Sequence, residues 1–143
     1  MITSPFVANN GYVYQPIWTE QDPALGGRAV YNFSIDSPGD YVIKAVVKAP
    51  NEGSNSFFVN IDDEPVNPTM IWDIEPTNGF EERTVSWRGN GTYYANQFVP
   101  KVFTLSAGEH QVIIRGREAY TRIDRISVVA LPLWSIYLPF ARR

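Results

Sequence analysis

The chain has 143 residues and a net charge of −3, with 44% hydrophobic and 19% charged side chains. That is one domain's worth of chain, long enough to bury about 68–70% of its unfolded surface without a metal or a disulfide. The acidic balance disfavours nucleic acid as a partner, no apolar run nears the ~18 residues of a membrane span, and the lack of cysteine excludes disulfide scaffolds, thiolate zinc sites and cysteine nucleophiles.

The opening MITSPFVANN lacks the basic and apolar stretches of a secretory signal, and the first 25 residues carry little pattern. Beyond them, short alternating segments recur between turn residues, the mark of an all-β sandwich or barrel. The first strand runs from Ala29 to Ile35, with Tyr31, Phe33 and Ile35 on one face and Asn32 and Ser34 on the other. Ser37-Pro38-Gly39-Asp40 makes a turn into Tyr41–Ala49, where Tyr41, Ile43, Ala45 and Val47 share a face opposite Lys44 and Lys48. A third strand sets Phe57, Val59 and Ile61 against Phe58, Asn60 and Asp62. Met70–Ile74, Thr84–Arg88, Val102–Leu105, His110–Arg115 and Ile123–Ala130 bring the count to about eight. The predicted fold class is therefore an all-β antiparallel β-sandwich with no helix. Its core is expected to hold Tyr31, Phe33, Ile43, Val47, Val59, Ile61, Leu105, Val112, Ile114, Ile126 and Val128.

Residues 1–130 form the sandwich in this reading, and 131–143 form an apolar tail. Pro132 and Pro139 argue against a helix or a central strand there. Trp134, Ile136, Tyr137, Leu138 and Phe140 would make a sticky patch if left in water, so the tail is expected to dock on this domain or on a second copy of the chain. Docking on a neighbour would give a homo-oligomer, with the chain as a structural subunit of an extracellular assembly or filament.

Catalytic constellations are weak. One histidine, His110, precludes a histidine-rich metal centre and reads as structural or solvated. No nucleophile elbow, P-loop or dinucleotide fingerprint occurs. Asp62-Asp63-Glu64 reads as a solvated turn. A non-enzyme is expected.

The richer signal is aromatic: 4 Trp, 8 Tyr and 8 Phe, more than a core of this size uses. Trp72-Asp73, Trp87-Arg88, Tyr93-Tyr94 and Tyr120 stand near strand ends or loops. Aromatic faces stack on the C–H faces of sugar rings, while Asp, Asn and Arg bond the hydroxyls. The alternative is core packing, above all for Trp87, which shares a face with Val85. Asp124 has the strand parity of Ile126 and Val128 and is expected to point inward. An inward carboxylate needs a partner, either an arginine such as Arg117 or Arg122, or a calcium ion.

These residues carry a resemblance. The series runs through Gly26-Gly27-Arg28-Ala29, Pro38-Gly39-Asp40-Tyr41, Asn55–Asp62 and Ile71-Trp72-Asp73. It continues with Trp87, Phe103–His110, Gly116-Arg117-Glu118 and Ile123-Asp124-Arg125-Ile126. From Gly26 to Ala130 the chain resembles the galactose-binding-like β-sandwich of non-catalytic carbohydrate-binding modules, near families six and thirty-five. The resemblance implies a jelly roll whose loops at one end hold a glycan or polysaccharide, outside the cell or at its surface, with no cofactor required. In many relatives it also implies a structural calcium, whose aspartate ligand falls on Asp124. Residues 1 to 17 hold no acidic side chain, which leaves Glu20 and Asp22 as the nearest N-terminal carboxylates.

Overall fold

The structure, a computed structural model, describes residues 1–90 and 98–131. Among them are eleven strands: β1 (Ile2–Thr3), β2 (Val7–Asn9), β3 (Tyr12–Tyr14), β4 (Arg28–Ile35), β5 (Gly39–Lys48), β6 (Ser56–Ile61), β7 (Ile71–Asp73), β8 (Glu81–Thr84), β9 (Phe103–Leu105), β10 (Gly108–Gly116) and β11 (Arg122–Ala130). The only helical pieces among the described residues are two single 3-10 turns, Pro23–Leu25 and Arg88–Asn90. Every strand pair is antiparallel. Five strands form one sheet in the order β1-β4-β10-β6-β7. The other six form a second sheet in the order β2-β3-β11-β5-β8, with β9 also paired to β5. The expected all-β sandwich is what forms.

Alternation builds the core. In the first sheet, Val112 stands opposite Tyr31 and Ile61, and Ile114 opposite Ala29 and Val59. In the second, Ile43 stands opposite Val128, Ala45 opposite Ile126, and Val47 opposite Ile123. These rows meet between the sheets around Trp72, Phe57 and Val85. Each fully buried large apolar side chain contributes roughly 1.5–3 kcal/mol. The expected core residues are all buried, except Tyr31, Phe33, Ile126 and Val128, which are half-buried and pack on its margin.

Three expectations need correction. Asn60 is buried, like every residue of β6, and not solvent-facing; its Oδ1 accepts from Ile61 N at 2.7 Å. The strand expected over Thr84–Arg88 is instead Glu81–Thr84. Val85 N still donates to Ile43 O of β5 at 2.8 Å, but β9 holds that edge at Gly39–Tyr41, and Val85 and Ser86 pair with Lys101 and Pro100 instead. Val85 and Trp87 still face the core, as their parity requires. Asp124 is exposed, because the β11–β5 register shifts between Ile123 and Arg125. A bulge there inserts one extra residue. It keeps Ile123, Ile126 and Val128 on the inner face while Asp124 is left outside.

The first 25 residues, weakly patterned in the sequence, carry three strands and a 3-10 turn. Asn10 and Gly11, both at positive φ (51° and 87°), close the β2–β3 hairpin. Just beyond, the buried Gln15 carboxamide ties three segments together. Its Oε1 accepts from Gly27 N at 2.9 Å, and its Nε2 donates to Ile17 O at 2.9 Å and Thr19 Oγ1 at 2.8 Å. Thr19 Oγ1 then donates to Gly116 O at 2.9 Å. A Cβ on Gly116 would lie 1.8 Å from Gln15 Oε1, so only glycine admits this approach.

Tyr93 and Tyr94, and the tail from residue 132 with its docking and oligomer contacts, lie outside the described residues.

Candidate functional site

At one end of the sandwich the β5–β6 loop, the end of β7, the 3-10 turn at Arg88 and the β10–β11 loop converge. They enclose a cleft of about 400 Å³ lined by Glu52, Asn55, Asp73, Arg88, Arg117 and Glu118, with Phe98 and Pro76 also on its wall. Two carboxylate–guanidinium pairs dominate it. Asp73, the last residue of β7, is 5% exposed. Arg88 grips it with both arms of its fork, Nε to Oδ2 at 2.9 Å and Nη2 to Oδ1 at 2.7 Å. Such bidentate pairing fixes both side chains as well as neutralising them. The 3-10 turn that carries Arg88 is itself pinned, since Gly89 N donates to Thr69 O at 2.9 Å.

The second pair sits on the β10–β11 loop. Glu118 is buried; its Oε1 accepts from Asn55 N at 2.8 Å, and its Oε2 lies 3.6 Å from Arg117 Nη1. Arg117 Nη1 also donates to Ser56 Oγ at 2.7 Å. Asn55 Nδ2 donates to Ile74 O at 2.7 Å, which locks the loop against the end of β7. These hydrogen bonds orient the polar groups, and Arg88 and Glu52 both line the cleft. Phe98, 44% exposed, is the apolar face on its rim. Fixed donors and acceptors beside an exposed ring suit a polyhydroxylated ligand. Both buried acids are held in ion pairs, so neither is placed as a free general acid or base.

The predicted site residues divide. Asp73 and Arg88 come together in the cleft. Trp72, the neighbour of Asp73, does not: it is 1% exposed and packs 6.1 Å from Phe57, so it belongs to the core and has no face for a ligand. Successive strand residues point to opposite faces, which is why β7 sends Trp72 inward and Asp73 to the cleft. Trp87 is half-buried, its Nε1 donating to Val59 O at 2.9 Å. Its ring stands edge-on to Phe103 and under the Lys101 ammonium at 4.3 Å, so its faces are largely taken. Tyr120 is 41% exposed but stacks beside Tyr14, away from the cleft lining. Asn55, Arg117, Glu118 and Phe98 were not expected as site residues; only the Arg117-Glu118 doublet stood out in the sequence.

The calcium expectation meets an unsuitable donor set. Asp124 is exposed on its bulge, and Glu20 is exposed as well. Asp22 caps a 3-10 turn, its Oδ1 accepting from Ala24 N at 2.9 Å. Among the described residues no three acidic or histidine side chains gather as a metal cage. Calcium takes six to eight oxygen ligands, and among the described residues no further carboxylates gather with Asp124 to make such a group.

His110 is structural. Its Nδ1 lies 2.6 Å from Asp62 Oδ2 and its Nε2 2.7 Å from Ser106 O, with its ring stacked on Phe33. The Asp62 carboxylate, then the Ser106 carbonyl, hold its pKa above the usual histidine value.

Solved structures share this fold. The chain is similar to a family 35 carbohydrate-binding module from Clostridium thermocellum, with a TM-score of 0.58 and 16% identity over 92% of each chain. It is also similar to the C-terminal family 6 module of LamC, a laminarinase from Zobellia galactanivorans, at TM-score 0.54 and 15% identity, covering 82% of this chain and 78% of that one. A third is the family 6 module of Cellvibrio mixtus lichenase 5A in complex with cellotriose, at TM-score 0.53 and 16% identity, covering 92% and 88%. No protein-family model and no curated protein matches the chain.

Proposed function

We propose that this domain is a non-catalytic glycan-binding module that works outside the cell or at its surface, and that the loop-end cleft is its sugar site. The observation that carries the reading is the cleft's construction: fixed Asp73–Arg88 and Arg117–Glu118 pairs beside the exposed ring of Phe98. Arg88 and Glu52 bond sugar hydroxyls, and Phe98 stacks on a pyranose face. Affinity is weak, since a shallow polar site gains little net free energy after desolvation. The fold shared with modules of a laminarinase and a lichenase supports this class of ligand.

The test is a glycan array, run with and without chelator, followed by titration of the best ligand into Phe98→Ala and Arg88→Lys variants. Binding that weakens in both variants while the melting temperature stays within a few degrees supports the site. A folded protein that retains no glycan, or one whose binding ignores both substitutions, overturns it.

A further inference from the structure

The second sheet has a gap on one side of β11. Among the described residues β3 meets β11 only at Ile123, so residues 125–130 have β5 on one side and no strand on the other. The first sheet has a matching gap. β1 pairs with β4 at Arg28 and Ala29, and Val30 N donates to Met1 O at 3.0 Å, but no described strand continues along residues 31–35 on that side. The two bare edges face each other across a groove of about 310 Å³. It is lined by Tyr31, Phe33 and Ile35 from β4, Val112 from β10, and Ile126 and Val128 from β11. None of these residues lines the glycan cleft.

Bare backbone N–H and C=O groups along an edge are a template for a further strand. The side chains point the same way. On the inner faces of these strands Ala29, Val112, Ile114 and Ile123 are fully enclosed, whereas Tyr31, Phe33, Ile126 and Val128 in the same rows are half-buried. A strand with large apolar residues at alternate positions would pair with β11 and cover that half-buried group. The sequence carries one next to the groove. Leu131 directly follows β11, its N donating to Asp40 O at 2.8 Å. Beyond it Trp134, Ile136, Leu138 and Phe140 fall at every second position.

We propose that residues 134–139 of this chain occupy the groove as a further strand, antiparallel to residues 125–130 of β11. A turn over residues 131–133, built on Pro132, places Trp134 opposite Ala130, Ile136 opposite Val128 and Leu138 opposite Ile126. Ile126 and Val128 face inward, so Ile136 and Leu138 do too, over Tyr31, Phe33 and Ile35. A turn one residue shorter or longer would send Ser135, Tyr137 and Pro139 inward instead, so the apolar alternation selects this register. The two runs match in length. Pro139 falls opposite Arg125, at the bulge where β11 shifts against β5, and on an edge strand a residue without an N–H is tolerated. So short a connection closes at little entropic cost. The tail of a neighbouring copy would have to offset the loss of free tumbling of two molecules. The occupant is therefore the chain's own tail.

The chain holds no cysteine, so an introduced pair reports contact without background. Ser127→Cys combined with Tyr137→Cys sets two thiols opposite each other on the outer face of the paired strands. The full chain carrying both is oxidised over a range of protein concentrations and resolved on a non-reducing gel. The expected result is an internal cross-link in the monomer, independent of concentration. Ser127→Cys with Ile136→Cys, whose side chains would face opposite sides, should cross-link about tenfold less. Melting temperatures give the second readout. Ile136→Asp and Leu138→Asp should each lower it by about 5–10 °C, while Tyr137→Asp should move it by about 2 °C at most. A Ser127→Cys/Tyr137→Cys link between two chains, growing with concentration, assigns the groove to a neighbour's tail and overturns the proposal. No cross-link in that pair, or equal melting temperatures for the three aspartate variants, overturns it as well.

Discussion

Replacing Trp72 separates a ligand-binding tryptophan from a core one. Its side chain is 1% exposed, lies 6.1 Å from Phe57 and is among the largest fully buried side chains of the domain. Truncating a buried tryptophan to alanine removes its transfer free energy and leaves a cavity, together about 3–5 kcal/mol. Against a total stability of about 5–15 kcal/mol, Trp72→Ala removes from about a fifth to all of it. At this chain length each kcal/mol moves the melting temperature by roughly 3–4 °C, so the variant should melt about 10–20 °C lower. Trp72→Phe keeps most of the apolar volume and should lose less than half as much. Calorimetry and near-ultraviolet circular dichroism read both variants, and glycan titration below the lower melting point shows whether the folded fraction still binds. A Trp72→Ala protein that melts within about 2 °C of wild type and has lost glycan binding would refute the core assignment.

The His110–Asp62 pair gives a pH dependence. The His110 pKa is raised by the Asp62 carboxylate and then by the Ser106 carbonyl, so the folded state binds its proton more tightly than the unfolded state. That stabilisation is fully present below the unfolded value near 6.5 and is lost as pH rises through the higher folded value; a His110→Gln variant should show a flatter stability profile over that window, and identical profiles would dismiss the pair. Deleting Asp124 should leave a folded domain, because it removes the extra residue of the bulge and keeps Ile126 and Val128 inward; a collapse in expression or cooperativity would show that the bulge is required. Adding chelator should leave the melting temperature unchanged, since Asp124, Glu20 and Asp22 do not converge; a fall of many degrees would reveal a cation held by other oxygens. Glu64→Gln weakens contacts to both Arg28 and Arg115, each at 2.8 Å, yet should cost less than about 1 kcal/mol because the carboxylate is half exposed.

The long strands were legible because their apolar residues alternate over six or more positions and both partners do the same. Asn10-Gly11 also spelled out a hairpin, since that dipeptide favours the positive φ values of a tight turn. Its flanking strands are three residues each, too short to show an alternating pattern. The Asp124 bulge has no local signature: the slip of β11 against β5 is set by the inner rows of both strands, which only the assembled sheet compares. The cleft was half legible. Asp73 and Arg88 are a carboxylate and a guanidinium at strand ends, whereas Asn55 and Glu118 are joined by a contact across 63 positions that no window of sequence contains. Aromatic residues next to them in sequence misled, because in a strand the neighbour of a surface residue is a core residue.

The Gln15 carboxamide also bears on how the chain reaches this state. It joins Gly27, 12 positions away, and through Thr19 it reaches Gly116, 97 positions from that threonine. Gly116 N donates to Gly27 O at 3.0 Å, so the complete tie requires the start of β4 and the end of β10 to lie side by side. The N-terminal segment thus fastens to the paired ends of two strands distant in sequence. The rate at which it fastens should follow the slow, non-local pairing of those strands rather than its own short hairpin.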